Sequence, residues 1–178
     1  VAVVNETFND MPLGTFTGSS NSVWTTRLGF ETYEIMNDLS DADNKVLRLG
    51  RAADVASTNS MPEMGVESPK HQGEFVVKYR LKMESLSSFP WRNYYRFDTE
   101  NGSNKMLLDI SFVRSGDAAE LKVANTYDKK NVSGKFKISL DEWHDVEVRI
   151  STWNNTVSIY VDNQEIMPEF VLQTDPYT

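Results

Sequence analysis

Arg92, Tyr94 and Arg96 occupy alternate positions and are the set of side chains best suited to chemistry in this sequence. Alternate residues of a β-strand share one face, so the phenol of Tyr94 would stand between two guanidinium groups. Arginine makes paired hydrogen bonds with carboxylates, and an aromatic ring covers the apolar C–H surface of a sugar. The pattern therefore predicts a surface that binds an acidic sugar.

The same residues could also perform the elimination reaction of a polysaccharide lyase. That reaction needs a group that neutralises the uronate carboxylate, for which Arg92, Arg96 or Asn93 would serve. It also needs a base and acid that moves the C5 proton, which would be Tyr94. Catalysis by elimination therefore stands beside simple binding as an alternative.

Several other kinds of chemistry are excluded by residue types that the chain lacks. Its 178 residues include no cysteine and two histidines, which excludes disulfides, thiolate nucleophiles and metal centres built from several histidines. Oxygen ligands remain, since Asp38, Asp41 and Asp43 form an acidic loop of the kind that suits Ca²⁺. No stretch approaches the roughly 20 apolar residues that span a bilayer, so no membrane partner is predicted.

The net charge of −8 conceals a division along the chain. Residues 1–67 carry 4 basic and 10 acidic side chains, whereas residues 70–140 carry 13 basic and 8 acidic ones. The acidic total argues against a nucleic-acid partner, because phosphate binding depends on lysine and arginine. The basic middle section nevertheless suits an acidic polysaccharide.

Apolar and polar residues alternate with period two in at least six segments from Glu74 onward, which indicates strands that bury one face. Turn residues such as Ser115-Gly116-Asp117 separate these segments, and no long amphipathic helix is predicted. The fold class predicted is all-β: a two-sheet antiparallel β-sandwich, or jelly roll, with concave and convex faces.

The N-terminal part is less regular. Val1–Phe8 and Lys45–Leu49 are predicted strands, and Thr15–Thr26 and Arg51–Gln72 are predicted surface loops. One domain over residues 1–178 is the simplest account, with residues 175–178 as the beginning of a linker.

Three segments together resemble the concanavalin A-like lectin/glucanase jelly roll, a fold that includes laminin G domains: Gly73–Met83, Trp143–Ile150 and Asn155–Asn163. Glu6–Asp10 is similar to the opening strand of carbohydrate-binding modules attached to bacterial polysaccharide-degrading enzymes. The resemblance implies that residues 74–84 and 143–163 form the convex back sheet. The concave sheet, where this family binds its ligands, would then consist of Trp91–Asp98, Met106–Arg114, Leu121–Asp128 and Lys135–Leu140.

If the apolar alternates face the core, the outward positions of the concave sheet form the binding groove, Ser111 among them. The predicted ligand-binding residues are Trp91, Arg92, Tyr94, Arg96, Asp109, Lys122, Lys135 and Lys137. A register error of one residue would instead expose Trp91, Asn93 and Tyr95. Retaining glycosidases need two carboxylates about 5 Å apart, but residues 107–112 contain a single acid, which argues against glycoside hydrolysis.

The resemblance also implies a structural calcium site that joins N-terminal and C-terminal acids. Its predicted ligands are Glu6, Asp10, Asp41, Asp43 and Asp162. The alternative is a solvated acidic loop. Two further predictions concern side chains outside the groove: Trp153 and Trp24 seal the end of the sandwich, with the lining of a sugar site as the alternative, and His144 has a structural role.

The function predicted from the sequence is a non-catalytic, calcium-binding carbohydrate-binding module of a secreted, bacterial, multidomain enzyme. It would be monomeric and bind an anionic polysaccharide, uronate-rich or pyruvylated. A polysaccharide lyase using Tyr94 and a laminin G-like protein-interaction domain are the alternatives. A fourth interpretation is that the outward lysines and arginines merely keep the sheet faces soluble.

Overall fold

A computed structural model describes residues 6–16, 25–26, 31–51, 64–65, 73–85, 92–98, 106–124, 131–151, 153–154 and 156–171. All regular secondary structure in these ranges is β-strand, and no helix there is long and apolar enough to cross a membrane. The strands are β1 (Gly14–Thr15), β2 (Thr25–Thr26), β3 (Glu31–Asp38), β4 (Asp41–Arg51), β5 (Met64–Gly65), β6 (Glu74–Lys82), β7 (Arg92–Asp98), β8 (Met106–Ser115), β9 (Ala118–Ala124), β10 (Asn131–Ser139), β11 (Trp143–Ser151), β12 (Thr156–Val161) and β13 (Gln164–Val171).

The chain divides into two compact units, residues 1–69 and 70–178, which are described separately below. The prediction of a single domain over residues 1–178 stays a prediction.

The first unit contains a three-stranded antiparallel sheet in the order β1-β3-β4 and a short β2-β5 ribbon. Phe16, Tyr33 and Ile35 form its buried core, against which Phe8, Met11 and Leu47 pack. The turn at residues 8–11 is tied to β4 by Lys45, whose ammonium group donates to the carbonyl oxygens of Asn9 and Met11 at 2.9 and 2.6 Å.

The second unit contains two four-stranded antiparallel sheets that share one hydrophobic core. The front sheet has the order β10-β9-β8-β7, and the back sheet has the order β13-β12-β11-β6. Ile110, Phe112 and Val123 of the front sheet and Val148 and Ile159 of the back sheet belong to one buried cluster. The predicted all-β antiparallel sandwich is therefore confirmed, as is the assignment of each predicted strand to its sheet.

The strand limits differ from the prediction in several places. β9 begins at Ala118 rather than Leu121, and β13 was not predicted. Glu6–Phe8 is not a strand, and Phe8 has a positive φ of 61°; the rest of Val1–Phe8 lies outside the described residues. The two predicted loops each contain a two-residue strand, since Thr25–Thr26 pairs with Met64–Gly65.

The turn between β12 and β13 fixes the register of the back sheet. Val161 pairs with Gln164, so Asp162 and Asn163 are the two central residues, and their φ angles are 50° and 64°. Positive φ at both positions is the geometry of a type I′ turn, which matches the twist of antiparallel strands and favours Asn and Asp. This turn positions the Asp162 carboxylate discussed below.

Candidate functional site

The outer face of the front sheet is defined by the strand register. On β8, Ile110 and Phe112 are fully buried in the core, so Asp109, Ser111 and Val113 occupy positions on the opposite, outer face. These three residues pair with residues of β7: Asp109 with Arg96, Ser111 with Tyr94, and Val113 with Arg92. Residues paired across antiparallel strands share a face, so all six positions belong to the outer face.

The alternative register is contradicted by the same pairing. Asn93 pairs with Phe112 and Tyr95 pairs with Ile110, which places both on the core side of β7. The period-two pattern therefore predicted the register correctly. Trp91 and Trp24 lie outside the described residues.

The outer face continues across β9 and β10. Lys122 pairs with Ser111 on one side and Ser133 on the other, while Glu120 pairs with Val113 and Lys137. Lys135 lies within a register irregularity between Ser133 and Lys137. The positions of Arg92, Tyr94, Arg96, Asp109, Lys122 and Lys137 thus lie on one face of one sheet, and their role in binding stays a prediction.

Two described features of this face differ from the sequence prediction. Glu120 is a second carboxylate there, missed because β9 was predicted to begin at Leu121, three residues after its observed start. Ser111, predicted to line the groove, is only 1% exposed. A ligand on this face would therefore contact the longer side chains around Ser111 rather than its hydroxyl group.

Lys122 is partly exposed and Lys137 is exposed. Within the described part of the chain, neither lysine forms an ion pair, and Lys137 forms none with its register partner Glu120.

The outer face of the back sheet has a different charge arrangement. Glu147 accepts from Lys78 at 2.9 Å and from Arg149 at 2.5 Å, and Arg80 lies 3.4 Å from Asp145. Hydrogen bonds from Lys78 and then Arg149 lower the pKa of Glu147. The cations of this face are largely neutralised by neighbouring acids.

Two aromatic rings complete this network. Arg149 lies over the ring of Tyr160 at 4.3 Å, and Arg80 lies 5.1 Å from the ring centroid of Trp143. Tyr160 in turn donates a hydrogen bond to Glu165 at 3.0 Å. These contacts stabilise the back sheet and leave few of its polar groups for a ligand.

His144, Ser139 and Asp162 form a polar cluster at the edge of the core. His144 is 7% exposed; its Nδ1 lies 2.7 Å from Asp162 Oδ2, and its Nε2 lies 3.2 Å from Ser139 Oγ. These distances match those between the nucleophile, base and acid of a serine hydrolase.

Two further contacts favour a structural role over catalysis. Ser139 Oγ donates to Glu142 at 2.5 Å, so its proton points away from His144. The Nε2 of His144 also lies 3.1 Å from the carbonyl oxygen of Ser139, which can only accept a hydrogen bond. Both ring nitrogens of His144 therefore lie within hydrogen-bonding distance of oxygen atoms that belong to the structure, Asp162 Oδ2 and the Ser139 carbonyl.

The remaining carboxylate oxygen of Asp162 accepts from the backbone N–H of Asp145 at 2.9 Å. Burial alone would raise the pKa of Asp162, but the hydrogen bonds from His144 and from the Asp145 backbone, with the attraction of His144, lower it. Asp162 therefore connects the β12–β13 turn to β11.

Two of the predicted calcium ligands, Glu6 and Asp41, accept local hydrogen bonds. Glu6 Oε1 accepts from the Phe8 N–H at 2.7 Å, and Asp41 Oδ1 accepts from the Asp43 N–H at 3.2 Å. Among the residues that the structure describes, no three acidic or histidine side chains form a group that could hold a metal. A calcium site stays a prediction, which a fall in unfolding temperature on chelation would support and an unchanged temperature would contradict.

Two solved structures resemble this chain. One is a carbohydrate esterase from the Shiga toxin-encoding bacteriophage phi24B, with a TM-score of 0.59 and 16% identity, covering 92% of this chain and 83% of that one. The other is the globular domain of T. cruzi calreticulin, with a TM-score of 0.56 and 18% identity, covering 89% of this chain and 64% of that one. No protein-family model and no curated protein matches the sequence.

At these identities the likeness shows the fold alone. The chain shares its β-sandwich fold with a carbohydrate esterase and with the globular domain of calreticulin. A shared fold does not decide between a catalytic and a binding protein.

Proposed function

We propose that this chain is a non-catalytic carbohydrate-binding module that binds an acidic polysaccharide on the outer face of the front sheet. The carboxylates of a uronate-rich or pyruvylated chain would contact lysine and arginine side chains there. The module would act outside the cell as a monomer and hold an attached polysaccharide-degrading enzyme close to its substrate.

The contrast between the two sheets is the observation that carries this proposal. On the back sheet, Lys78, Arg80 and Arg149 are paired with carboxylates, and Lys82 is a cation without an ion pair among the described residues. On the front sheet, Lys122 and Lys137 have no ion pair with the side chains that the structure describes, and their face also carries the positions of two arginines. Basic side chains without acidic partners suit an external anion.

The carboxylates of the front sheet moderate the charge of this face without cancelling it. Asp109 pairs with Arg96 on one neighbouring strand and with Ala124 on the other. Glu120 pairs in the same way with Lys137 and Val113. The four cations at regular register positions outnumber these two acids. A polysaccharide with spaced carboxylates fits such a mixed face better than a densely charged polyanion.

A comparison of matched lysine variants tests the proposal. Lys122→Gln removes a charge from the front sheet, and Lys82→Gln removes one from the back sheet; both lysines are partly exposed and lack ion pairs among the described residues. Affinity electrophoresis in gels containing alginate measures binding. We expect Lys122→Gln, alone or with Lys137→Gln, to weaken binding by about threefold to tenfold.

The control decides whether the effect is local. Lys82→Gln changes the net charge by the same amount and should leave the retardation in alginate unchanged. Equal weakening by both substitutions would mean that overall charge determines binding, and no binding of any glycan would favour a protein-interaction domain of the laminin G type.

A further inference from the structure

Trp153 is the most exposed large apolar side chain among the described residues of the second unit. It lies in the turn between β11 and β12 and is 73% exposed. Trp153 was predicted to seal the end of the sandwich. This prediction is wrong, because most of the side chain is exposed to solvent. An indole left in water forgoes the favourable burial that large apolar side chains normally achieve, so its exposure requires a reason.

One face of this indole is fixed by Gly73. A Cβ atom built on Gly73 would lie 3.2 Å from Cζ2 of the ring and 3.6 Å from both flanking atoms, Cε2 and Cη2. Near-equal distances to three consecutive ring atoms arise when a group approaches the ring face rather than its edge. The backbone of Gly73 therefore covers one face of the indole and leaves the other face toward solvent.

Glycine is required at position 73 for two separate reasons. Its φ of 115° is a conformation that other residues rarely adopt, and the contact with Trp153 leaves little room for a side chain. The turn is also tied back to β11, since the Asn154 N–H donates to Ser151 Oγ at 3.4 Å. The ring is thus held in position before any ligand arrives, which lowers the entropic cost of binding.

The geometry points to a second glycan-contacting site, in which the free face of Trp153 stacks against the apolar C–H face of a pyranose ring. A flat, preorganised aromatic surface suits a sugar ring, and the exposed neighbour Asn154 offers an amide for hydroxyl groups. We call this site the Trp153 platform. It depends on the proposed function only because it takes a glycan as the ligand. It uses no charge, so it would accept neutral and acidic sugars alike.

A protein partner fits the platform less well than a sugar. Stable protein interfaces bury about 800 Å² on each partner around a cluster of apolar anchors. In the described part of the second unit, Trp153 and Val76 are the exposed large hydrophobic residues, and Val76 lies on β6 opposite Arg149 in a charged surrounding. One isolated indole matches the size of one sugar ring.

The test uses the full chain with two glycans, alginate as the acidic probe and laminarin as the neutral one. Trp153→Ala removes the platform, and Trp153→Phe keeps an aromatic ring. Leu39→Ala is the control, because Leu39 is 88% exposed and belongs to the other unit. Titration calorimetry measures affinity in each case, and circular dichroism verifies that each variant is folded.

We expect Trp153→Ala to weaken binding of laminarin by about tenfold or more, Trp153→Phe to retain most of the affinity, and Leu39→Ala to have no effect. Added salt should leave this interaction unchanged. Unchanged laminarin binding by Trp153→Ala, or no laminarin binding by the parent chain, overturns the platform. Alginate binding that depends on Lys122 would survive that failure. Laminarin binding through Trp153 together with alginate binding that does not depend on Lys122 would overturn the acidic front-sheet site and leave the platform standing.

Discussion

Replacement of His144 by alanine should destabilise the second unit because this side chain connects two turns of the sandwich. Its Nδ1 interacts with the carboxylate of Asp162 at 2.7 Å, and its Nε2 with the carbonyl oxygen of Ser139 at 3.1 Å. A hydrogen bond to a charged group contributes about 2 kcal/mol and one to a neutral group about 1 kcal/mol. Since His144 is also 7% exposed, we expect His144→Ala to lower the free energy of unfolding by about 3 kcal/mol.

Urea unfolding followed by tryptophan fluorescence measures this loss, and Asp145→Ala is the control on the same strand. The carboxylate of Asp145 forms an ion pair with Arg80 at 3.4 Å, with side chains that are 69% and 57% exposed. Such exposed pairs contribute less than about 1 kcal/mol. If His144→Ala costs no more than Asp145→Ala, the structural role assigned to His144 is wrong.

The pH dependence of stability provides a second test of the contact between Asp162 and His144. The folded-state pKa of Asp162 lies below the ordinary value of 3.8, because the bonds from His144 and Asp145 outweigh the effect of burial. The stabilisation is therefore present above pH 3.8 and is lost as the pH falls through the lower, folded-state pKa. Asp162→Asn should destabilise the protein at neutral pH, and the difference from the parent chain should shrink in this acid range.

Three other substitutions test separate parts of the structure. Gly73→Ala should lower the free energy of unfolding by about 1–3 kcal/mol, because of its positive φ and its contact with Trp153; a change below about 0.5 kcal/mol in urea unfolding would contradict that geometry. Lys45→Met should cost the first unit about 1–2 kcal/mol, since two carbonyl oxygens lose their donor, and increased proteolysis near residues 8–11 would report it. If the chain were a lyase, absorbance near 235 nm would rise with a uronate polymer and Tyr94→Phe would abolish the rise; we expect no rise with the parent chain.

The part of the fold that the sequence predicted correctly follows from one physical rule. A strand that buries one face alternates apolar and polar residues, so Ile110 and Phe112 were identified as inward and the register of Tyr94 followed. Glu120 was missed because Ala118 and Ala119 give a weak alternation at the start of β9. Short side chains carry little information on which face is buried.

The contacts around Asp162 could not be predicted in the same way. The sequence suggested a calcium ligand there, whereas the carboxylate contacts His144 and the Asp145 backbone. That contact depends on the register between β11 and β12 and on the positive φ of a two-residue turn, both of which are properties of the assembled sheet. The exposure of Trp153 likewise depends on the path of the chain around Gly73.

The salt dependence of alginate binding by the parent chain tests the central claim most directly. Titration calorimetry at low and high sodium chloride, with laminarin as the neutral reference, separates ionic contacts on the front sheet from stacking. The account predicts that alginate binds more tightly than laminarin at low salt and loses affinity as salt is added. Alginate affinity that equals that of laminarin and does not change with salt would contradict an acidic-glycan site on the front sheet.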